Sequence, residues 1–418
     1  MRRRGLSGLP RIVWLLGFAS LFNDVSSEAI FPLLTLYLAT LGGGVRALGA
    51  IEGSADALAS LAKVVAGRWS DRGPRRLLVV GGYALPALAR AGIAAAAAPA
   101  HVLGARLVDR LGKGIRSGPR DALLADAAEE GDTGRAFGLQ RSMDHLGAAI
   151  GPLLASALLA SMAALPLERR LRIAFAVAAG LGLVAPLLIL LRLKDAPAAT
   201  ATSTPASPRA SPLPDPPPAS GGREARPSTA PLPASFWRYL SIAAVFALAN
   251  SSDAFLIKKA TDVGYSPATV PLLWFGHHVV KTLTGAPGGA LSDRVPRAWV
   301  VAAGWAAYAL AYYGFAVATE RWQVAALFGF YALYHGLTEA AERAMVSDVA
   351  GRGVRGRAFG WYHGITGAAA LPASLLTGWL WDARGARVAL ATSATLALAA
   401  ALALTVSAGW ARRSARAV

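Results

Sequence analysis

The sequence predicts an all-α membrane protein with twelve transmembrane helices in two homologous six-helix bundles, related by a pseudo-two-fold axis. Three observations support this prediction: 55% of the 418 residues are hydrophobic, the apolar residues fall into long runs, and one charged phrase occurs twice. A spanning helix needs about 20 mostly apolar residues. A soluble helical protein would instead show amphipathic stripes, which these runs lack.

The repeated phrase is Gly-Arg-Ala-Phe-Gly, which begins at Gly134 and again at Gly356, an offset of 222 residues. A Ser-Asp-Arg step at Ser70 returns at Ser292 with the same offset, and Asp126 returns as Asp348. Three features at one offset indicate that the chain contains two copies of one unit. Duplicated helical units that face each other are typical of alternating-access transporters.

The apolar runs predict where each helix crosses the membrane. The predicted spans are 12–40, 46–69, 76–98, 100–123, 134–164, 170–192, 236–260, 268–290, 298–318, 321–345, 357–381 and 386–410. They divide the chain into an N-terminal bundle (1–192), a Pro/Ala/Ser-rich linker (193–235) and a C-terminal bundle (236–418). We expect an extended linker, because 11 of the 25 prolines lie between Asp195 and Ser235.

The formal net charge of +18 does not indicate a nucleic-acid partner, because most of the 42 Lys and Arg residues fall in segments on one predicted side of the membrane. This bias places both termini in the cytoplasm and the protein in a cytoplasmic (inner) membrane as a multi-pass protein. The basic N-terminus resembles a signal peptide, but the run continues past Asn23-Asp24 without a cleavage site, so we expect a retained helix. The absence of cysteine excludes disulfides and thiolate sites.

Two charged or glycine-rich stretches resemble known transporter signatures. The stretch from Gly67 through Ser70-Asp71-Arg72 to Arg75-Arg76 resembles the loop signature of the major facilitator superfamily, with Pro74 as a one-residue departure and a degenerate copy at 288–297. Gly138, Gly147 and Gly151-Pro152 resemble its antiporter signature, in which Ala155-Ser156 replace the closing glycines. Arg106 on the fourth span resembles a buried arginine of the same family. The resemblance covers the whole chain and implies a twelve-helix drug/proton antiporter-like transporter.

The charged loops predict a latch on the cytoplasmic side. Asp71 is placed to interact with a helix N-terminus, and Arg75, one turn later, with Asp126 at the end of span four. The resemblance implies that the partner helix is span eleven, so that the latch ties the two halves together and holds the outward-open state. The predicted latch residues are Gly67, Asp71, Arg72, Arg75, Asp126 and Arg135, with Asp293, Arg297, Asp348 and Arg357 in the second half. An ordinary solvated loop is the alternative.

Ionisable residues inside the membrane are costly and usually face a cavity or a partner. The predicted proton-coupling and cavity residues are Asp24, Glu28, Glu52, Asp56, Arg90, Arg106, Asp109, Asp144, Asn250 and Asp253, the last two placed mid-helix in the seventh span. The N-terminal half has more of these charges, so we expect it to perform most of the ion coupling. Asp24 and Glu28 share one helix face and are the favoured proton carriers. The alternative is a structural pair neutralised by Arg90, Arg106 or Arg141.

These features predict proton-coupled efflux of a small, partly apolar solute by alternating access. One alternative is proton-driven uptake of an anionic metabolite, with Arg90, Arg106 and Arg141 as the anion ligands. The other alternative is a non-transporting receptor or scaffold.

Catalytic motifs are missing, so no enzymatic activity is expected. His277-His278 with Lys281 favours a polar cavity lining over a metal site. The expected partners are the solute, protons and the lipid bilayer, with no cofactor, no metal and no nucleic acid, and the protein is expected to be a monomer. Gly138, Gly147, Gly151 and Pro152 are expected to pack the fifth span closely against a neighbouring helix.

Overall fold

The computed structural model describes residues 9–70, 75–127, 133–193, 231–350 and 354–416, and the described residues form helices and connecting turns. We number the helices in chain order. They are α1 (Arg11–Thr40), α2 (Val45–Ser70), α3 (Arg75–Ala94), α4 (Pro99–Ala127), α5 (Thr133–Ser161), α6 (Leu167–Arg192), α7 (Ala234–Ala249), α8 (Ala254–Asp262), α9 (Val270–Arg294), α10 (Arg297–Val317), α11 (Arg321–Ala350), α12 (Arg355–Arg384) and α13 (Ala386–Arg416).

Six of these segments are long and apolar enough to cross a membrane by length and composition: α3, most of α5, α6, the α7–α8 segment, α10 and most of α13. In the part of the chain that the structure describes, the other long helices are less apolar or more charged over a membrane-length window. In α1, for example, Asp24 and Glu28 interrupt the apolar run. Polar residues are therefore distributed unevenly among the helices.

The seventh predicted span is not one helix. α7 ends at Ala249 and α8 begins at Ala254, and Asn250-Ser251-Ser252-Asp253 connects them without helical structure. The placement of Asn250 and Asp253 mid-helix was therefore wrong. Ser and Asn side chains favour turns because they compete for backbone hydrogen bonds, and here Ser252 Oγ accepts a hydrogen bond from the Ala254 amide at 3.3 Å. The helix break exposes polar backbone at the centre of the molecule.

The two halves use the same helix pairings. In the N-terminal half α1 packs against α5 and α6, α3 against α4 and α6, and α2 against α4. In the C-terminal half α7 packs against α12 and α13, α10 against α11 and α13, and α9 against α11. These are the same pairs after the shift of six spans, so the sequence repeat is also a structural repeat.

The halves meet at two interfaces that the pseudo-two-fold axis exchanges: α2 against α12, and α5 against α9. Small residues bring the first pair close, since a Cβ placed on Gly53 would lie 2.9 Å from Ser374 Cβ, and one on Gly378 2.9 Å from the Val45 carbonyl oxygen. We call the end of the molecule where α2, α4 and α11 finish the basic end. At the opposite end Arg46 Nε and Asp382 Oδ2 lie 2.7 Å apart and join α2 to α12.

Candidate functional site

A cavity of about 440 Å³ lies between the two halves, and most of its lining comes from the C-terminal half. The N-terminal half contributes only Asp56, Ser60 and Lys63 of α2. The acidic lining residues are Asp56, Asp253, Glu339 and Glu342, and the aromatic ones are Phe246, Trp305, Tyr331, Tyr334 and Tyr362. The cavity thus combines carboxylates with ring faces, a combination suited to a partly apolar ligand that has a polar or positively charged group.

Asp253 lies where the seventh span breaks, at the start of α8. Tyr331 Oη donates a hydrogen bond of 2.6 Å to Asp253 Oδ1, and no basic side chain pairs with this carboxylate in the described part of the chain. Asn250, at the other end of the break, donates to Tyr334 Oη at 3.4 Å. The broken helix therefore presents two polar side chains to tyrosines of α11 on the cavity wall.

Glu342 is a second carboxylate whose hydrogen-bond partners among the described residues are neutral. Trp305 Nε1 and Tyr362 Oη each donate to it at 2.7 Å, on Oε1 and Oε2 respectively. Sequence reasoning missed Glu342 because it lies near the basic end of α11. The spacing could have identified it, since residues three and four apart share a helix face and Glu342 follows Glu339 and Thr338.

Four tyrosines form a continuous ring cluster beside Asp253. The ring centroids of Tyr308 and Tyr312 are 4.1 Å apart and those of Tyr331 and Tyr334 are 5.8 Å apart. Tyr308 Oη donates to the carbonyl oxygen of Ala249 at 2.9 Å, which satisfies the last turn of α7. The cluster fixes the helix break against α10 and α11.

The N-terminal half contains a buried ionic network instead. Arg106 Nε and Nη2 donate to the two carboxylate oxygens of Glu52 at 2.8 and 2.7 Å, and its Nη1 donates to Asp109 Oδ2 at 3.1 Å. Arg90 Nη2 lies 3.2 Å from Asp109 Oδ1, and Arg110 Nε lies 3.4 Å from Asp56 Oδ1. Glu52, Arg90, Arg106 and Asp109 are each at most 3% exposed. The three arginines and three carboxylates balance one another.

That the N-terminal half performs most of the ion coupling stays a prediction, and the network shows how the charges of this half are paired. Of the network only Asp56 reaches the cavity lining. Arg90 also donates to Ser26 Oγ at 2.7 Å and to Asn23 Oδ1 at 3.3 Å, so it binds polar groups of α1 as well as Asp109. A charged side chain that is already paired with an opposite charge is not available to bind a ligand. The number of charges on a half therefore did not show which half lines the cavity.

Asp24 and Glu28 lie on α1 but have different surroundings. Glu28 Oε2 accepts a hydrogen bond of 2.8 Å from Trp274 Nε1 and lies 3.5 Å from His278 Nε2, both on α9 in the other half. Asp24 Oδ1 accepts a hydrogen bond from Asn23 Nδ2 at 2.8 Å. Arg90 and Arg106 pair with Asp109 and Glu52, so a structural pair of Asp24 and Glu28 neutralised by these two arginines is not what the structure contains.

Asp144 lies on α5. Its Oδ2 accepts a hydrogen bond from Gln140 Nε2 at 2.6 Å and lies 4.0 Å from Arg141 Nη1. Arg141 Nη2 in turn lies 3.0 Å from Glu339 Oε1 of α11, and Lys281 Nζ lies 3.7 Å from Glu339 Oε2. The contact between Arg141 and Glu339 joins α5 of the N-terminal half to α11 of the C-terminal half beside the cavity.

The predicted latch residues pair within each half. Arg75 Nη1 donates to Asp126 Oδ2, which joins the start of α3 to the end of α4, and Arg297 Nη1 donates to Asp348 Oδ2 at the equivalent place. Arg297 Nη2 also lies 3.7 Å from Asp293 Oδ1. The predicted pair of Arg75 and Asp126 is therefore present and lies within one half, while the tie between the halves through span eleven stays a prediction. Arg75 and Asp126 both belong to the N-terminal half, and their pair joins the consecutive helices α3 and α4.

Several latch positions are only partly described. Asp71 and Arg72 lie outside the described residues. Gly67 lies in α2 and Arg135 lies in α5. Arg357 is an exposed residue in the first turn of α12.

The glycines of α5 pack against α1. A Cβ placed on Gly147 would lie 2.6 Å from the Leu21 carbonyl oxygen, and one on Gly151 would lie 2.6 Å from that of Val25. Gly138 has open space at its Cβ position, and Pro152 lies inside the same helix. The close approach is therefore within the N-terminal half, and it holds the helix that contains Asp24 and Glu28.

Comparison with known proteins places this architecture in one family. The Major Facilitator Superfamily model matches residues 16–276 and 240–417. An uncharacterized MFS-type transporter of Methanocaldococcus jannaschii is 27% identical over 380 residues, covering 89% of each chain. An uncharacterized protein of Mycobacterium tuberculosis is 25% identical over 391 residues, covering 89% of this chain and 87% of that protein.

Two solved structures share the fold at low sequence identity. A bacterial homolog of the human lysosomal transporter Spinster, in an inward-facing and unoccupied conformation, has a TM-score of 0.71 and 16% identity over 95% of each chain. A POT family transporter in complex with 5-aminolevulinic acid has a TM-score of 0.76 and 12% identity over 97% of each chain. The family match covers nearly the whole sequence, and the chain therefore belongs to the Major Facilitator Superfamily of multi-pass membrane transporters.

Proposed function

We propose that this protein is a proton-coupled exporter of a small, partly apolar organic solute with a positively charged or strongly polar group. The observation that supports it is the surroundings of Asp253 and Glu342. Both carboxylates line an aromatic cavity and accept hydrogen bonds from tyrosine or tryptophan instead of pairing with a cation. A carboxylate at membrane depth needs a proton, a cation or a wet cavity to compensate its charge.

Exchange follows if the proton and the solute compete for the same carboxylates. When Asp253 and Glu342 are protonated, the other charged lining residues sum to +1, so the cavity has little affinity for a cation; they are Asp56, Glu339, Lys63, Lys281 and Arg343. When Asp253 and Glu342 are ionised, the carboxylates and the ring faces attract a cation. Asp24 stays a proposed proton carrier because its neighbour in the structure is the neutral Asn23. Glu28 contacts α9 and is proposed to couple the movement of the two halves.

Uptake of an anionic metabolite is less well supported by these contacts. Arg90 and Arg106 are paired with Asp109 and Glu52, and Arg141 contacts Glu339. An anion would have to displace a buried carboxylate from Arg90 and from Arg106, which leaves an uncompensated charge. The distribution of Lys and Arg favours a cytoplasmic (inner) membrane with both termini inside, and the two-bundle architecture can function as a monomer.

The test is proton movement in inside-out vesicles that contain the protein. The vesicles are energised, and a pH-sensitive dye is recorded while lipophilic cations, neutral compounds and small organic anions are added in turn. We expect proton release on adding a cation or a neutral compound, and a loss of at least about tenfold in Asp253→Asn and Glu342→Gln, because each removes a charge-assisted contact.

The matched control is Glu320→Gln, which changes an exposed carboxyl outside the cavity and should leave the signal unchanged. A response to anions alone, abolished by Arg106→Gln, would replace this proposal with the uptake mechanism. Solute binding without any flux would indicate a receptor instead.

A further inference from the structure

A second groove lies on the outer surface of the N-terminal half, between α1 and α6, away from the cavity of the proposed function. It has a volume of about 690 Å³ and is lined by Arg11, Ile12, Leu15, Phe18 and Phe22 of α1 together with Leu188, Arg192 and Leu193. The groove has charge at one end and apolar side chains along the rest. That division is the feature to explain.

The two arginines lie together because of the helix directions. Arg11 is the first residue of α1 and Arg192 is the last residue of α6, and the two helices pack antiparallel, so both guanidinium groups lie at the basic end. Both side chains are exposed, and neither forms a hydrogen bond or an ion pair with another described residue. They differ in this from Arg172, which binds Glu168 and two backbone carbonyls.

The apolar wall runs from the arginines towards the membrane centre. Leu15, Phe18 and Phe22 are three and four residues apart and therefore share one face of α1. The distance along the helix from Arg11 to Phe22 is about 16 Å, which is about half of the hydrocarbon thickness of a bilayer. Phe18 is 41% exposed in the groove. An acyl chain that enters beside the arginines would lie against these rings to its full depth in one leaflet.

We propose that this groove binds a phospholipid with an anionic headgroup, the phosphate between Arg11 and Arg192 and an acyl chain along Leu15, Phe18 and Phe22. Guanidinium groups bind phosphate oxygens in pairs of hydrogen bonds, and basic pockets between membrane helices are typical sites for acidic lipid headgroups. The predicted orientation places the basic end at the cytoplasmic leaflet, where anionic lipids are available. This binding site is independent of the transport proposal, since none of its residues lines the cavity.

The test uses the full-length, delipidated protein in detergent and native mass spectrometry. Phosphatidylglycerol and phosphatidylcholine with identical acyl chains are titrated separately, and the bound fractions are compared. We expect a preference of at least about fivefold for phosphatidylglycerol, which Arg11→Gln/Arg192→Gln abolishes while phosphatidylcholine binding is unchanged. Phe18→Ser should lower the binding of both lipids.

The control pair is Arg169→Gln/Arg384→Gln, which removes two exposed arginines at the opposite end and should keep the preference. Glycerol phosphate at millimolar concentration, which has the charge without the chain, should not compete. Equal binding of the two lipids by the unchanged protein, an equal loss in the control pair, or competition by glycerol phosphate would each overturn the assignment. Size-exclusion profiles of all variants separate loss of binding from loss of folding.

Discussion

At one offset of 222 residues, the ionic network of the N-terminal half corresponds to an aromatic and histidine cluster in the C-terminal half. The equivalent pairs are Glu52 and Trp274, Asp56 and His278, Arg90 and Tyr312, Arg106 and Phe328, and Asp109 and Tyr331, whereas Arg110 corresponds to Ala332. The ion pair of Arg90 and Asp109, at 3.2 Å, occupies the place where the rings of Tyr312 and Tyr331 lie 5.9 Å apart. Large side chains occupy these equivalent positions in both halves, so the same helix pairs remain in contact.

The difference shows how a duplicated bundle divides its work. Buried ion pairs with good geometry are compensated only by each other, so a ligand that removes one member leaves an isolated charge. Ring faces and hydroxyl groups lose less when a ligand replaces a neighbour. We propose that the N-terminal network is a closed structural block, whereas Tyr331 and His335 of the C-terminal cluster line the cavity that a solute could use. Three changes would break or sharpen this comparison.

The largest effect is expected from breaking the pair of Arg106 and Glu52. Glu52→Gln leaves the Arg106 guanidinium with one carboxylate fewer in a buried site, so we expect a loss of about 3–5 kcal/mol in the free energy of unfolding. Thermal unfolding of the purified protein in detergent measures it. The double variant Glu52→Leu/Arg106→Met should recover most of the loss. If Glu52→Gln unfolds like the unchanged protein but stops transport, the network is part of the solute pathway.

An intermediate effect is expected from Tyr331→Phe in the other half. It removes the hydroxyl group that donates to Asp253 at 2.6 Å but keeps the ring. A hydrogen bond to a charged group contributes about 1.5–3 kcal/mol, so solute affinity or transport rate should change roughly tenfold or more, with little change in thermal stability. Tyr313→Phe, whose hydroxyl group contacts Thr395 away from the cavity, is the control. A large loss of stability with unchanged transport would make this half structural as well.

The smallest effect is expected from the ion pairs near the basic end. Arg141→Gln removes a part-exposed contact between the halves, worth about 0.2–1 kcal/mol, and should shift the balance between conformations by up to about fivefold. The chain has no cysteine, so a pair of introduced cysteines on α4 and α11 can be spin-labelled to measure the distance distribution. Arg75→Gln removes a contact to Asp126 that lies within one half, so it should shift that distribution less. If Arg75→Gln shifts it more than Arg141→Gln does, the latch does join the halves.

The sequence predicted the elements of this fold better than the contacts among them. Apolar runs and the 222-residue repeat predicted two six-helix bundles, because membrane solvation constrains length and composition directly. The spacing of Arg75 and Asp126 suggested their pairing, although not that it stays within one half. The partners of Arg90 and Arg106 were not predictable, since which carboxylate lies within 3 Å depends on the packing of three helices.

Glu342 and the helix break show the same limit. Glu342 acquires its surroundings from Trp305 on α10 and Tyr362 on α12, which are distant in sequence. The break at Asn250–Asp253 contains neither proline nor glycine, the residues that most often interrupt helices. Tertiary contacts stabilise the break in addition to the local effect of Ser and Asn, because Tyr308 of α10 donates to the Ala249 carbonyl oxygen and Ser374 of α12 accepts a hydrogen bond from the Ser252 amide.

That break has a mechanical consequence. α7 packs against α12 and α13 of its own half, whereas α8 packs against α1 and α2 of the other, and Thr35 Oγ1 donates to the Ala254 carbonyl oxygen at 3.4 Å. One span therefore contacts both halves, and if the halves rotate in the proposed transport cycle, that rotation would be taken up as torsion at residues 250–253. The same four residues include Asp253 on the cavity wall. A solute bound to Asp253, as proposed, would then also change the stiffness of this hinge.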